Sequence, residues 1–346
     1  MTTPTARFTP GDILTRAQIH PVLGGSGFAG ICPAREKRNV LIFSDSKIGR
    51  RYGYRDGWLS EEDAFGPIFT YTGAGKRGNQ TLEGGNAAIL DHASMGRTLH
   101  VFIAVGNVPG TGTRTHKYIG EFKVDDEHRP YDIREAKDEL GADRNVIVFR
   151  LRPTGPYIRE ESDTLPLAPR PRIRFQRTAG SLARTYRRKR RQRQPQTETA
   201  RIEALRDDLA EAFEEHETAA GMDIGQMELS LQNSTDQLSF EIYNQTNHTI
   251  YQPTGSAAPE SITQALAQLL HAQHHLKTAV PDQPLHLMVL APSLPREDLR
   301  DLLSEHGIGL VYRTETGDFS ELIGGISATD GHQSFRCLDC PVSVPA

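Results

Sequence analysis

Three cysteines, a single tryptophan and no long apolar run are the first things this 346-residue sequence shows. Cys32, Cys337 and Cys340 are too few for a disulfide framework, so a reducing, cytoplasmic compartment is the expectation. No stretch approaches the roughly 18 apolar residues of a membrane span. The start, MTTPTARFTPGD, lacks the apolar segment of a secretion signal, and no membrane partner is expected. A chain of this length suggests about two domains, each able to bury its own core.

Acidic residues are missing altogether between Arg170 and Arg193, where 11 basic residues stand, including the run Arg187-Arg188-Lys189-Arg190-Arg191. Residues 1–169 are nearly balanced, with 22 Lys and Arg against 21 Asp and Glu. From Gln194 onward, 7 basic and 23 acidic residues leave a net −16, which opposes general affinity for DNA. The basic block reads either as a phosphate-binding arm, which gains affinity by counterion release, or as a solvated linker. The Pro-rich approach to it, LRPTGPYIREESDTLPLAPRPR, marks a domain boundary in either case.

The segment from Tyr52 to Asn86 is dense in what the chain otherwise spares. It holds Tyr52, Tyr54, Trp58, Phe65, Phe69 and Tyr71 among many glycines, a mixture suited to gripping something flat. Gly73, Gly75 and Gly78 satisfy G-x-G-x-x-G, but Lys76-Arg77-Gly78-Asn79-Gln80 and Gly84-Gly85 prolong the loop where that fingerprint needs an immediate helix. Nucleotide binding is therefore not expected, and neither is any cofactor. Around this segment, residues 40–43, 99–105, 117–122 and 145–151 read as strands, and only 85–93 as a helix. The first domain should be β-rich, a curved sheet or barrel.

The ordered motifs GGSGFAGI (24–31), VLIFSD (40–45), YGYRDGW (52–58), YTGAGKRGNQ (71–80), GNAAI (85–89) and KYIGEF (117–122) resemble the SRA-like modified-cytosine readers of actinobacterial McrA-type restriction proteins, relatives of the SRA domains of eukaryotic UHRF proteins. The resemblance covers about residues 8–152. It implies an SRA-like, PUA-like fold and a duplex DNA partner containing 5-modified cytosine. The base would be rotated out of the helix into an aromatic pocket. Tyr71 matches one stacking position, and Tyr52 or Tyr54, with Tyr54 preferred, the other; base–aromatic stacking contributes about 1–3 kcal/mol per base. Asp56 matches the residue that reads the base edge: a carboxylate accepts from the N4 amino group of cytosine and repels the O4 of thymine. Thr72 and nearby backbone would sense the methyl group by shape. Lys76, Arg77, Asn79, Gln80, Arg114 and His116 are candidate contacts to phosphates or neighbouring bases. Without the ordered motifs, the aromatics would read as core and Asp56-Gly57 as a turn.

In the second half, Ile202, Leu205, Leu209 and Phe213 recur at helical spacing within 198–217, and Ile262, Leu266, Leu269, Leu270 and Leu276 mark another helix. Strand 285–290, helix 295–306 and strand 308–312 complete an α/β domain with parallel pairing. This half resembles a PD-(D/E)xK nuclease-like domain, so the whole chain reads as α+β: 8–160 SRA-like, 161–197 linker, 198–325 nuclease-like and 326–346 tail. The catalytic pattern is degraded. Asn244 stands at the aspartate position, Gln252-Pro253-Thr254 at E-x-K, and Pro253 argues against a central strand. Loss of an anionic ligand and of the lysine leaves no means to hold Mg²⁺ and activate water. A non-enzymatic, nucleoid-associated DNA-binding protein is expected, with homodimerisation through the second domain as one role for it. The rivals are an endonuclease using a displaced site near Glu241, and a non-catalytic scaffold. No metal is expected: Cys337-x-x-Cys340 with His332 lacks a fourth ligand, and His271 and His275 read as polar surface.

Overall fold

A computed structural model describes residues 8–45, 49, 52–126, 129–177, 179–191, 197–279, 285–323 and 336–337. His332, Cys340 and most of the 326–346 tail lie outside the described residues. The chain divides into two compact units, residues 1–167 with Ser234–Asp236, and the remainder. Among the described residues no helix is long and apolar enough to cross a membrane.

The first unit runs β1 (Ile13–Thr15), α1 (Arg16–Leu23), β2 (Ile31–Ala34), β3 (Asn39–Ser44), β4 (Gly57–Asp63), β5 (Gly66–Thr72), α2 (Gly84–Leu90), β6 (Thr98–Asn107), β7 (Arg114–Val124), β8 (Tyr131–Lys137) and β9 (Asp143–Tyr157). These strands form one nine-stranded sheet in the order β2-β3-β6-β7-β9-β5-β4, with β1 on β7 and β8 on β9. β3 and β6 pair in parallel, while β2–β3, β6–β7, β7–β9, β5–β9 and β4–β5 are antiparallel. Each strand expected from β-branched and apolar clustering is present, and the expected helix is α2. The long β9 serves β5, β7 and β8 along its length, so every one of its residues from Val146 to Leu151 is buried. Trp58 packs edge-on against Phe69, with ring centroids 5.4 Å apart, and tilts against Phe122. The chain's one tryptophan is thus core, not pocket.

The second unit runs β10 (Arg172–Gln176), α3 (Ala179–Arg191), α4 (Glu198–Ala219), β11 (Ile224–Ser230), β12 (Gln237–Asn244), β13 (Thr249–Pro253), α5 (Pro259–Ala279), β14 (His286–Ala291), α6 (Glu297–Glu305), β15 (Gly309–Arg313), β16 (Phe319–Ile323) and β17 (Arg336–Cys337). The eight strands lie in sequence order, antiparallel from β10 to β13, parallel through β13-β14-β15, and antiparallel again to β17. Period-two alternation sorts β14 between two cores: Leu287, Val289 and Ala291 face α5 and α6, whereas Met288 and Leu290 face α4.

Three expectations change. Where a linker was expected over 161–197, residues 172–176 are a strand and 179–191 a helix of the second unit. Pro253 does lie in a central strand, but as its last residue, where a missing N–H costs little; the next donor, Thr254 N, bonds Leu290 O at 2.8 Å. On α4 only the Leu209 and Phe213 part of the apolar stripe is buried, and Leu205 is 49% exposed.

Candidate nucleic-acid interface

The site is assembled where β3 ends, β4 begins and β5 ends. Asp56 precedes β4, and its carboxylate is pinned at both oxygens. Thr72 N donates to Oδ1 at 2.8 Å and Ser44 Oγ donates to Oδ2 at 3.0 Å. Arg55 N donates to Thr72 Oγ1 at 3.2 Å, so Thr72 braces the segment that carries Asp56. Burial pushes the Asp56 carboxyl up to about 6, against the downward pull of the Thr72 and Ser44 hydrogen bonds. Asp56 and Tyr54 line a cleft of about 510 Å³, together with Ser44, Phe69, Ile103 and the segment Ser162–Pro166.

Tyr54 is held rigidly. Its hydroxyl donates to Gly75 O at 2.8 Å and accepts from Arg144 Nη2 at 3.0 Å, and its ring packs against Ala136, Val146 and Val148. Arg144 is 2% exposed and also donates to Gly75 O at 2.5 Å, tying Tyr54 to the 73–80 loop. Tyr52 stands beside it, ring centroids 5.7 Å apart, but Tyr54 is the one lining the cleft. Tyr71 and Thr72 are both buried on β5. The Tyr71 phenol is held well above its ordinary pKa, first by burial and then by the nearby Asp56 charge, so it stays neutral.

The six loop candidates separate into two groups. Lys76, Arg77 and Asn79 are exposed on the 73–80 loop, with Arg77 paired to Glu139. Arg114 is partly exposed and paired to Asp45. Gln80 and His116 are not surface groups. Gln80 is 3% exposed, donates to Gly73 O at 2.6 Å and accepts from Ile147 N at 2.9 Å, so it is an internal strut of the loop. His116 is buried edge-on against Phe43. Burial and then the Arg16 and Arg114 charges push it down to about 4, leaving it neutral near pH 7 and no anchor for phosphate.

Sequence reasoning passed over three contributors and one exposed aromatic. Ser44 and Arg144 act on Asp56 and Tyr54 as described. Asn86 accepts from Ala74 N at 2.7 Å and donates to Thr81 O at 2.8 Å, closing the loop from behind. A Cβ at Gly73 would lie 2.7 Å from Asn86 Oδ1, which explains a glycine there. Phe28 is 100% exposed on the 24–30 loop, which Arg16 fastens through Ala29 O at 2.8 Å. The loop's other end, Gly30, approaches the Tyr71 hydroxyl. The GSGF spacing was the available signal for Phe28; nothing local singled out Arg144.

In the second unit, Glu241 lies among guanidinium groups, not free carboxylates. Its Oε2 accepts from Arg206 at 2.5 Å, its Oε1 from Arg187, and Arg184 lies 3.6 Å away. Against the upward push of burial, Arg187, Arg206 and Arg184 hold its carboxyl down at about 2. Arg187 also binds Asp207 at 2.8 Å, Arg184 binds Glu214, and Arg188 binds Glu211 at 2.6 Å. Within the basic block, Arg184, Arg187 and Arg188 are therefore paired with carboxylates of their own unit. Asn244 is fully buried and caps the β12–β13 turn, accepting from Thr246 N at 3.0 Å.

Residues 10–166 match a family model described as ScoMcrA-like, SRA domain. Solved structures are similar at low identity and low superposition. The sulfur-binding and SRA domains of ScoMcrA complexed with phosphorothioated DNA are 24% identical, with a TM-score of 0.32 over 46% of this chain and 43% of that one. The type IV phosphorothioation-dependent restriction endonuclease ScoMcrA is 22% identical, with a TM-score of 0.32 over 46% and 30%. The SUVH5 SRA domain with fully methylated CG DNA is 19% identical, with a TM-score of 0.31 over 46% and 98%. The chain thus spans less than half the length of the two ScoMcrA structures it matches. Comparison with curated proteins gives no match.

Proposed function

We propose that the first unit recognises a 5-modified cytosine in duplex DNA by rotating the base into the cleft beside Tyr54 and Asp56, and that the second unit does not cut the DNA. The observation that carries this is Asp56, a carboxylate fixed at both oxygens on a cleft wall that also presents a rigid tyrosine. Such a carboxylate is oriented before the ligand arrives, so little ordering cost is left for the moment of binding. It selects cytosine through N4, while the 5-substituent is sensed by the shape of the wall. The family match over residues 10–166 supports the same conclusion.

Phe28 supplies the complementary part. A fully exposed phenylalanine on a fastened loop is suited to enter the stack where a base has left, as apolar wedges do when they unstack a step. Phe28→Ala should lower affinity for modified duplex about tenfold and reduce the fluorescence of a 2-aminopurine placed next to the modified cytosine, with the melting temperature unchanged. Full retention of both signals would remove Phe28 from the mechanism.

Lack of cleavage is supported by the three arginines around Glu241, which occupy by charge the place a divalent cation would need. The central test is direct. The full chain should bind a duplex containing 5-methylcytosine more tightly than its unmodified twin, and should leave it intact with Mg²⁺ or Mn²⁺. Equal binding to both duplexes would overturn the base-reading role; metal-dependent cutting would establish the endonuclease instead.

A further inference from the structure

We propose that β10 of the second unit is a phosphate-binding strand, whose exposed Arg172 and Arg174 grip the sugar–phosphate backbone of duplex DNA without reading its sequence. This rests on duplex DNA being the partner, as in the function proposed above, but not on rotation of a base.

The strand's own alternation presents the two arginines. In the antiparallel pair with β11, Ile173 stands opposite Leu229 and Phe175 opposite Met227, and these side chains pack into the core shared with α5. Period two turns Arg172 and Arg174 to the other face, where both are exposed. A register slip of one residue would bury two guanidiniums and expose Ile173 and Phe175, so the core fixes the presentation. Arg170, just ahead of the strand, is exposed as well.

These arginines differ from their neighbours in the basic block by lacking an internal carboxylate. Arg184, Arg187 and Arg188 are paired within the unit, and Arg177 binds Asp223 at 2.7 Å. Among the described residues no carboxylate pairs with Arg170, Arg172 or Arg174. The side chains facing the two strand arginines are already engaged. Glu228, opposite Arg174, is buried and accepts from Gln176 Nε2 at 2.9 Å, and Ser230, opposite Arg172, accepts from Gln237 Nε2 at 2.8 Å. From Gln194 onward the chain carries a net −16, so this strand face is a local site for an anion and not part of a general positive field.

The spacing selects the kind of anion. Residues two apart on a strand lie about 6.6–6.8 Å apart. Successive phosphates of one DNA strand are separated by roughly 7 Å, because winding lengthens the path beyond the 3.4 Å rise per nucleotide. A guanidinium gives a phosphate two parallel hydrogen bonds, so Arg172 and Arg174 can each take one of two consecutive phosphates.

The test measures binding of the full chain to an unmodified duplex and its 5-methylcytosine twin between about 50 and 200 mM salt. Replacing both residues, Arg172→Gln with Arg174→Gln, should lower the slope of log Kobs against log salt by about 2, since each phosphate contact contributes about 0.9. Affinity for both duplexes should fall by the same factor, about tenfold at the lower salt, with the preference between them and the melting transitions unchanged. The corresponding Arg172→Lys with Arg174→Lys variant should keep the slope, because it keeps both charges. An unchanged slope in the glutamine variant would overturn the proposal and leave β10 an end strand whose charge only discourages pairing with other chains. A loss confined to the modified duplex would overturn it too, by placing the arginines in base recognition. Equal binding of both duplexes by the wild-type chain, with the slope still lowered in the glutamine variant, would overturn base reading and leave the phosphate-binding strand standing.

Discussion

Asp56→Ala should weaken binding to modified duplex roughly 30- to 150-fold, the equivalent of the about 2–3 kcal/mol carried by a hydrogen bond to a charged group. Affinity for unmodified duplex should change less than twofold, because backbone contacts do not depend on the flipped base. An equal loss on both duplexes would mean that Asp56 supports the fold instead of the base. Asp56→Asn separates these roles further, since the amide keeps an acceptor for Thr72 N and removes the charge. Burial raises the Asp56 carboxyl from 3.8 to about 6, so the wild-type unit is stabler with Asp56 protonated. That stability is fully present below about pH 4 and is lost as pH rises through about 6, a difference of about 3 kcal/mol. The asparagine variant should therefore gain up to that amount at pH 7.5 and lose the pH slope between about 4 and 6. Trp58 is the chain's one tryptophan and is buried in this unit, so its fluorescence reports the first unit's unfolding by itself. A variant no stabler than wild type at pH 7.5 would show that the carboxylate is not held at a cost to stability.

The second large effect belongs to Glu241. Glu241→Gln should destabilise the second unit by about 3–5 kcal/mol, because the change leaves Arg184, Arg187 and Arg206 close together without their shared carboxylate. Its pH signature has the opposite sign to that of Asp56. The Glu241 carboxyl is held at about 2 against an ordinary 4.5, so its stabilisation is present above about pH 4.5 and is lost as pH falls through about 2. Calorimetry should show a transition lowered in temperature in the variant, while the Trp58 transition and DNA binding stay as in wild type. An unshifted transition would mean that the cluster carries no stability. A stable variant that abolished metal-dependent cutting would make Glu241 a catalytic ligand.

Much of the first unit was legible because its signals are local. Strands such as 40–43 and 145–151 follow from clustered β-branched and apolar residues, and of the pocket residues expected from the ordered motifs, Tyr54 and Asp56 line the cleft while Tyr71 and Thr72 are buried on β5 beside it. What was misjudged depends on distant partners. Gln80 sits among exposed loop residues in the sequence, yet it is anchored by Ile147, 67 positions away. His116 reads as a loop contact to DNA but is buried against Phe43. The arginines of 184–188 look like a free basic arm because their carboxylates, on α4 and β12, come 20 to 54 residues later.

The sequence by itself determined which residue types and which local periodicities exist: a β-rich first half, an α/β-patterned second half, and an aromatic and glycine-rich segment between Tyr52 and Asn86. Only the tertiary structure decided which charges are spent internally and which are presented outward. Pairing energy and desolvation depend on distance through space. That is why Arg144 became the brace of Tyr54, Glu241 an ion-pair hub, and the segment Ser162–Pro166 the far wall of the cleft.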